Sequence, residues 1–106
     1  MPKYLFQVSY TAEGARGLLK EGGTSRRAMV EQLVKERGGS VEAFYFAFGE
    51  DDVVLITDLP DAKTATAISL TVGASGAARV KTTVLLMPED IDDAAQISVG
   101  YRPPGS

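Results

Sequence analysis

The chain has 106 residues, 44% of them hydrophobic and 24% charged, which are the proportions of one ordinary globular domain. Its net charge of −3 and the lack of a basic stripe argue against a nucleic-acid surface or adhesion to anionic lipid, and no apolar run approaches the roughly 20 residues of a membrane helix. With Cys and His both absent, disulfides, thiolate zinc sites, histidine-ligated haem and the Ser-His-Asp arrangement are excluded; acid–base chemistry is left to carboxylates, Tyr, Lys or water.

The start, Met-Pro-Lys-Tyr-Leu-Phe, goes straight into a strand-like pattern and lacks the layout of a signal peptide, so a cytoplasmic protein is expected. From Lys3 to Thr11, Tyr4, Phe6, Val8 and Tyr10 alternate with Leu5, Gln7 and Ser9, the period of a strand. Thr11 suits the N-cap of a short helix to Lys20, which Gly14 and Gly17 weaken by about 1 kcal/mol each relative to Ala. Glu21-Gly22-Gly23 breaks it. Thr24 or Ser25 then caps a stronger helix to about Arg37, with Met29, Val30, Leu33, Val34 and Arg37 on one stripe and Gly38 as its C-cap.

From Gly38 to Asp61 the pattern predicts a β-hairpin. Val41, Phe44, Tyr45, Phe46 and Phe48 mark the first strand, Gly49 to Asp52 a tight acidic turn, and Val53 to Thr57 the second. Asp61 caps a helix from Ala62 to about Ala74, with Ala65, Ile68, Ser69 and Val72 facing the core. Arg79 to Met87 reads as the last strand. Pro88 opens a terminal helix with Glu89 and Asp90 at its positive end. Ile97 to Tyr101 is a short extended piece, and Arg102 to Ser106 frays. Residues 1–97 make a single domain and 98–106 a tail.

The order strand, helix, strand, strand, helix, strand gives an α+β protein. Its βαββαβ chain makes one antiparallel sheet of the ferredoxin-like kind, with both main helices on one face, the first and third strands in the middle, and a short C-terminal helix in addition. In the third strand Val53 and Leu55 point one way and Val54 and Ile56 the other. Such a strand wants cover on both faces, and the helices supply one. A second subunit packed sheet to sheet, closing an α/β barrel, would supply the other. The competing cover is the short, acidic helix from Pro88.

Three groups of residues are candidates for a site. Gly22-Gly23-Thr24-Ser25-Arg26-Arg27 sets glycines, hydroxyls and two cations at a helix N-terminus, where an anion is favoured; the plainer reading is a capped loop with solvated arginines. Gly49-Glu50-Asp51-Asp52 has oxygens for a hard cation but reads better as an acidic turn, so no metal is expected. The aromatic residues could line a cavity or pack a core. If Phe44, Phe46 and Phe48 pack under the helices, Tyr45 and Tyr10 fall on the subunit side. Arg79 and Lys81 on the last strand could attract an anion but read better as the solvated, charged face of an edge strand.

Arg27, Gly38-Gly39, Phe44-Tyr45-Phe46, Phe48-Gly49-Glu50, Asp52-Val53-Val54, Leu59-Pro60-Asp61, Ala74-Ser75-Gly76 and Val80-Lys81-Thr82, in this order between Arg26 and Glu89, resemble the GYD-domain family. The chain departs from it at Asp51, where the family's tyrosine is expected. The resemblance implies a ferredoxin-like protein of the dimeric α/β-barrel kind, and no established reaction. The leading expectation is a homo-oligomeric module that binds a small molecule, an anion among the candidates, through Gly22, Gly23, Arg26, Arg27, Tyr10 and Tyr45. The alternatives are a metal-free enzyme of the oxygenase or isomerase type and a structural or protein-partner module. The partners expected are a second copy and a small anionic ligand, with neither nucleic acid nor membrane. No cofactor is called for and no catalytic residue stands out.

Overall fold

A computed structural model describes residues 1–106. Four strands, β1 (Lys3–Tyr10), β2 (Ser40–Phe46), β3 (Val53–Asp58) and β4 (Ala78–Leu85), form one antiparallel sheet in the order β2-β3-β1-β4. Helices α1 (Ala12–Glu21) and α2 (Gly23–Glu36) join β1 to β2, α3 (Ala62–Ala74) joins β3 to β4, and α4 (Pro88–Ala95) follows β4. This is the ferredoxin-like arrangement, with β1 and β3 central as the element order requires.

The side chains that bury themselves fix which face carries the helices. Tyr4 and Phe6 of β1, Val53 and Leu55 of β3, Val34 of α2, Leu59 and Ala65 form the core, and Val8, Tyr10, Phe44, Phe46, Ile68 and Val80 pack against it. α2 lies over β2 and α3 along β4. A bulge between Val41 and Ala43 makes β2 fit this face. Strict alternation would set Val41 and Phe44 on opposite faces. The extra residue, Glu42, resets the register so that Val41, Phe44 and Phe46 all point under the helices. Glu42 and Asp58 both meet the ammonium of Lys3, at 3.4 and 3.0 Å, and the hydrogen bond to Asp58 leads in holding that ammonium above its ordinary 10.5.

Several boundaries depart from the sequence pattern for local reasons. α2 starts at Gly23, one turn's edge earlier than Thr24 or Ser25, because Gly22 takes a left-handed φ of 89° and closes α1 while opening α2. Met29 and Arg37 lie outside the buried stripe, which narrows to Val30, Leu33 and Val34. The hairpin turn is a wider loop. Ala47 N–H donates to the carbonyl of Asp52 at 2.8 Å, and Phe48, with φ 58° and its ring exposed, takes the strained corner. β4 ends at Leu85, and Ile97 to Tyr101 forms no strand.

Asp61 caps α3 as its position suggests, accepting the Thr64 backbone N–H at 2.9 Å and the Thr64 hydroxyl at 2.8 Å. The backbone bond first, then the hydroxyl, holds its carboxyl below the usual 3.8. A depressed carboxylate stabilises the fold fully above its unfolded value, and that contribution is lost as pH falls through the lower folded value. Asn keeps a cap acceptor without the titration. Denaturant midpoints of Asp61→Asn between about pH 2 and 5 should therefore fall less steeply with acid than those of the wild type.

The opposite face of the sheet has no cover. α4 buries none of its residues and has no more than marginal contact with any strand, so it does not roof that face. The Cα radius of gyration is 17.0 Å, against about 13 Å for a compact chain of this length, because the segment after β4 stands away from the body. No helix is long and apolar enough to cross a membrane.

Candidate functional site

The uncovered face is built from the other half of each strand. β1 contributes Leu5, Gln7 and Ser9; β3 contributes Val54 and Ile56; β2 contributes Ala43 and Tyr45; β4 contributes Arg79, Lys81 and Leu85. Its centre is apolar: Leu5 stands opposite Ile56, which stands opposite Ala43. Towards the C-terminal end of β1 it becomes polar.

That change is made by the loop after β2. Asp52 N–H donates to the carbonyl of Val8 at 2.8 Å, and the Asp52 carboxylate accepts the N–H of Tyr10 at 2.8 Å. These bonds clamp the loop onto β1 and turn Asp51 inward over the open face. Asp51 is only 9% exposed. Its carboxylate accepts from Ser9 Oγ at 3.1 Å and Gln7 Nε2 at 3.3 Å, and pairs with Lys81 Nζ at 3.2 Å. A carboxylate this far out of water needs such partners. Asp51→Ala would leave the amide, hydroxyl and ammonium without their acceptor; a loss of about 1–3 kcal/mol in denaturant unfolding is expected, with Asp51→Asn costing less.

Around this cluster lies a recess of about 330 Å³ lined by Gln7, Ser9, Glu50, Asp51, Arg79 and Lys81. That volume is at the low end of small-molecule sites, about 300–1,000 Å³. Arg79 makes no ion pair within the chain and lies on the recess wall. By contrast, the gap beneath α2 and α3 is about 70 Å³ and almost wholly apolar. An engineered cavity of about 150 Å³ is what benzene needs, so the smaller space is a packing gap.

The residues singled out from the sequence do not converge. Tyr10 shares the helix face with Tyr4, Phe6 and Val8, as the two-residue period of β1 demands, so it is not on the subunit side with Tyr45. Its ring lines a groove with Arg26 and Gly14. Arg27 turns the other way, to a shallow groove with Gly23, Thr24, Phe44 and Phe46, and lies 3.9 Å from Glu31. Gly22 gives α2 no side-chain cap, and of the two arginines it is Arg27 that shares a groove with Gly23 and Thr24 of its first turn. Tyr45 stands on the open face, 69% exposed. Gln7, Ser9, Asp51 and Lys81 form the best-built polar cluster, and two of them, Gln7 and Ser9, read from the sequence only as strand residues.

The family model for the GYD domain matches residues 4–95. The chain belongs to the GYD-domain family. The match runs from the second residue of β1 to the last residue of α4, so it takes in the whole sheet, every helix and the recess. In this GYD domain the Asp51 carboxylate organises the polar end of the open face. Neither a curated protein nor a solved structure matches the chain.

Proposed function

We propose that this GYD-domain protein is a homo-oligomeric binding module in which two copies set their open sheet faces together and enclose a small, anionic molecule at the recess. The observation that carries this reading is the open face itself, a sheet with an apolar middle and no helix over it. Leaving Leu5, Val54 and Ile56 half-buried forgoes part of the roughly 1.5–3 kcal/mol that full burial of each side chain is worth. Face-to-face pairing of two copies buries them without any new element.

The polar end gives the chamber its selectivity. Asp51 already engages Gln7, Ser9 and Lys81, so the cluster is rigid, and Arg79 beside it has no carboxylate of its own. A ligand with an apolar body and a carboxylate head matches that layout, the body over Val54 and Ile56 and the head at Arg79. Light scattering at micromolar concentration should give a mass of at least two chains. Aliphatic and aromatic carboxylates, and not the matching amides, should raise the melting temperature. Arg79→Ala should abolish that rise and Arg26→Ala/Arg27→Ala should keep it. The reverse pattern moves the ligand to the start of α2, and a single-chain mass removes the chamber.

A further inference from the structure

Every residue of the chain after β4 is exposed. Leu86 is 63% exposed, Ile91 57%, Ile97 69%, Val99 77% and Tyr101 72%. Met87, Ile91, Ala94 and Ala95 recur at helical spacing and give α4 one apolar stripe. Ile97, Val99 and Tyr101 then alternate with Ser98 and Gly100, the pattern of a strand apolar on one side, yet they pair with no strand of their own chain.

Charge narrows what this arm can meet. Residues 1–85 carry ten basic and ten acidic side chains, whereas residues 86–106 carry Arg102 against Glu89, Asp90, Asp92 and Asp93. The net charge of the protein therefore resides in the arm. Two arms repel each other, and a nucleic acid or an anionic membrane repels both. A neutral body does not.

The body offers two free sheet edges. That of β4 is guarded by Arg79 and Lys81, the kind of charge that blunts an edge. That of β2 reads Ser-Val-Glu-Ala-Phe-Tyr-Phe, and its one charged residue sits at the bulge near its start. Beside it stand the exposed rings of Tyr45 and Phe48, 69% and 79% accessible. An eight-residue helix spans about 12 Å and five extended residues about 17 Å, which is enough to cross from one sheet to another packed about 10 Å away.

We infer that residues 97–101 add as an extra strand to the β2 edge of a second copy of this chain, with α4 bridging the two bodies. The inference rests on the homo-oligomeric reading above and makes the arm the clasp of that assembly. Strand addition takes its affinity from backbone hydrogen bonds and its register from alternate side chains, here Ile97, Val99 and Tyr101 beside Tyr45 and Phe48.

Val99→Pro in the full chain removes a ladder donor at an exposed position outside the folded body. Sedimentation velocity over a concentration series and hydrogen exchange of the Ser40–Phe46 amides are compared with the wild type. The expected result is a dissociation constant at least tenfold higher, with at least tenfold faster exchange along β2. A wild type that sediments as one chain at tens of micromolar overturns both this inference and the reading it rests on. An oligomeric wild type whose assembly and β2 exchange are unchanged by Val99→Pro overturns the arm alone and leaves the face-to-face pair standing. Faster β2 exchange with unchanged assembly shows the arm returning to its own chain, which also overturns the inference.

Discussion

Leu59→Ala should remove about 2–5 kcal/mol of unfolding free energy, the range for deleting a fully buried leucine. Leu59 is 0% exposed, the most enclosed large side chain in the protein. It sits where β3 turns into α3, and its N–H donates to the carbonyl of Pro2 at 3.0 Å, so the backbone there is anchored and cannot close around a void. Gly39 presses on the same place: a Cβ there would collide with the Asp58 carbonyl and lie 2.9 Å from Leu59 Cδ2. The neighbourhood is packed on both sides and has no slack to collapse. Domains of this size are stable by about 5–15 kcal/mol in all, so the upper part of the range would leave the variant largely unfolded at room temperature. Urea unfolding followed by circular dichroism measures it. A midpoint within error of the wild type would mean that the core does not centre on Leu59.

How much of this was written in the sequence depends on whether a residue's role is local. Asp61 caps α3 because its side chain meets an N–H three residues on, and Thr11 caps α1 in the same way, accepting from Gly14 N–H at 3.3 Å. Pro88 opens α4 because its missing donor is not needed there. The two faces of β3 follow from strict alternation: Val53, Leu55 and Thr57 are buried, Val54 and Ile56 half-buried. From these parts and the connection rules the ferredoxin-like sheet could be assembled without coordinates.

What escaped was non-local. Nothing near Asp51 in the chain shows that it leaves water, because the cause is a clamp between Asp52 and the backbone of Val8 and Tyr10, more than forty positions away. Its partners Gln7, Ser9 and Lys81 come from two different strands. The turn at Gly49 to Asp52 therefore looked like a solvated acidic loop. Tyr10 could not be given a face until the buried side of β1 was known. The bulge at Glu42 was hidden for a related reason. The phase break between Val41 and Phe44 is visible in the residues, but only pairing with Thr57, Ile56 and Leu55 shows that it is resolved by an extra residue and not by a change of face.

The open face is where the second large effect is expected. In the proposed face-to-face pair, Ile56→Asp should leave each subunit folded and drive the two copies apart. In one chain Ile56 is half-buried, and a carboxylate there can turn towards water at modest cost. With a second sheet about 10 Å away the same carboxylate loses its water and gains no partner, because the residues aligned with it in the sheet are Leu5 and Ala43. An unpaired charge in such a place costs several kcal/mol, so a rise of at least a hundredfold in the dissociation constant, about 2.7 kcal/mol, is the expected floor. Thr66→Asp, on the exposed side of α3, adds the same charge away from the seam and controls for net charge. Sedimentation velocity reads the mass, and far-ultraviolet circular dichroism reads the fold. An Ile56→Asp protein of wild-type mass would mean that the sheets do not meet there. An unfolded one would mean that the face contributes to the subunit itself. A folded single chain beside an assembled Thr66→Asp control would locate the seam at the centre of β3.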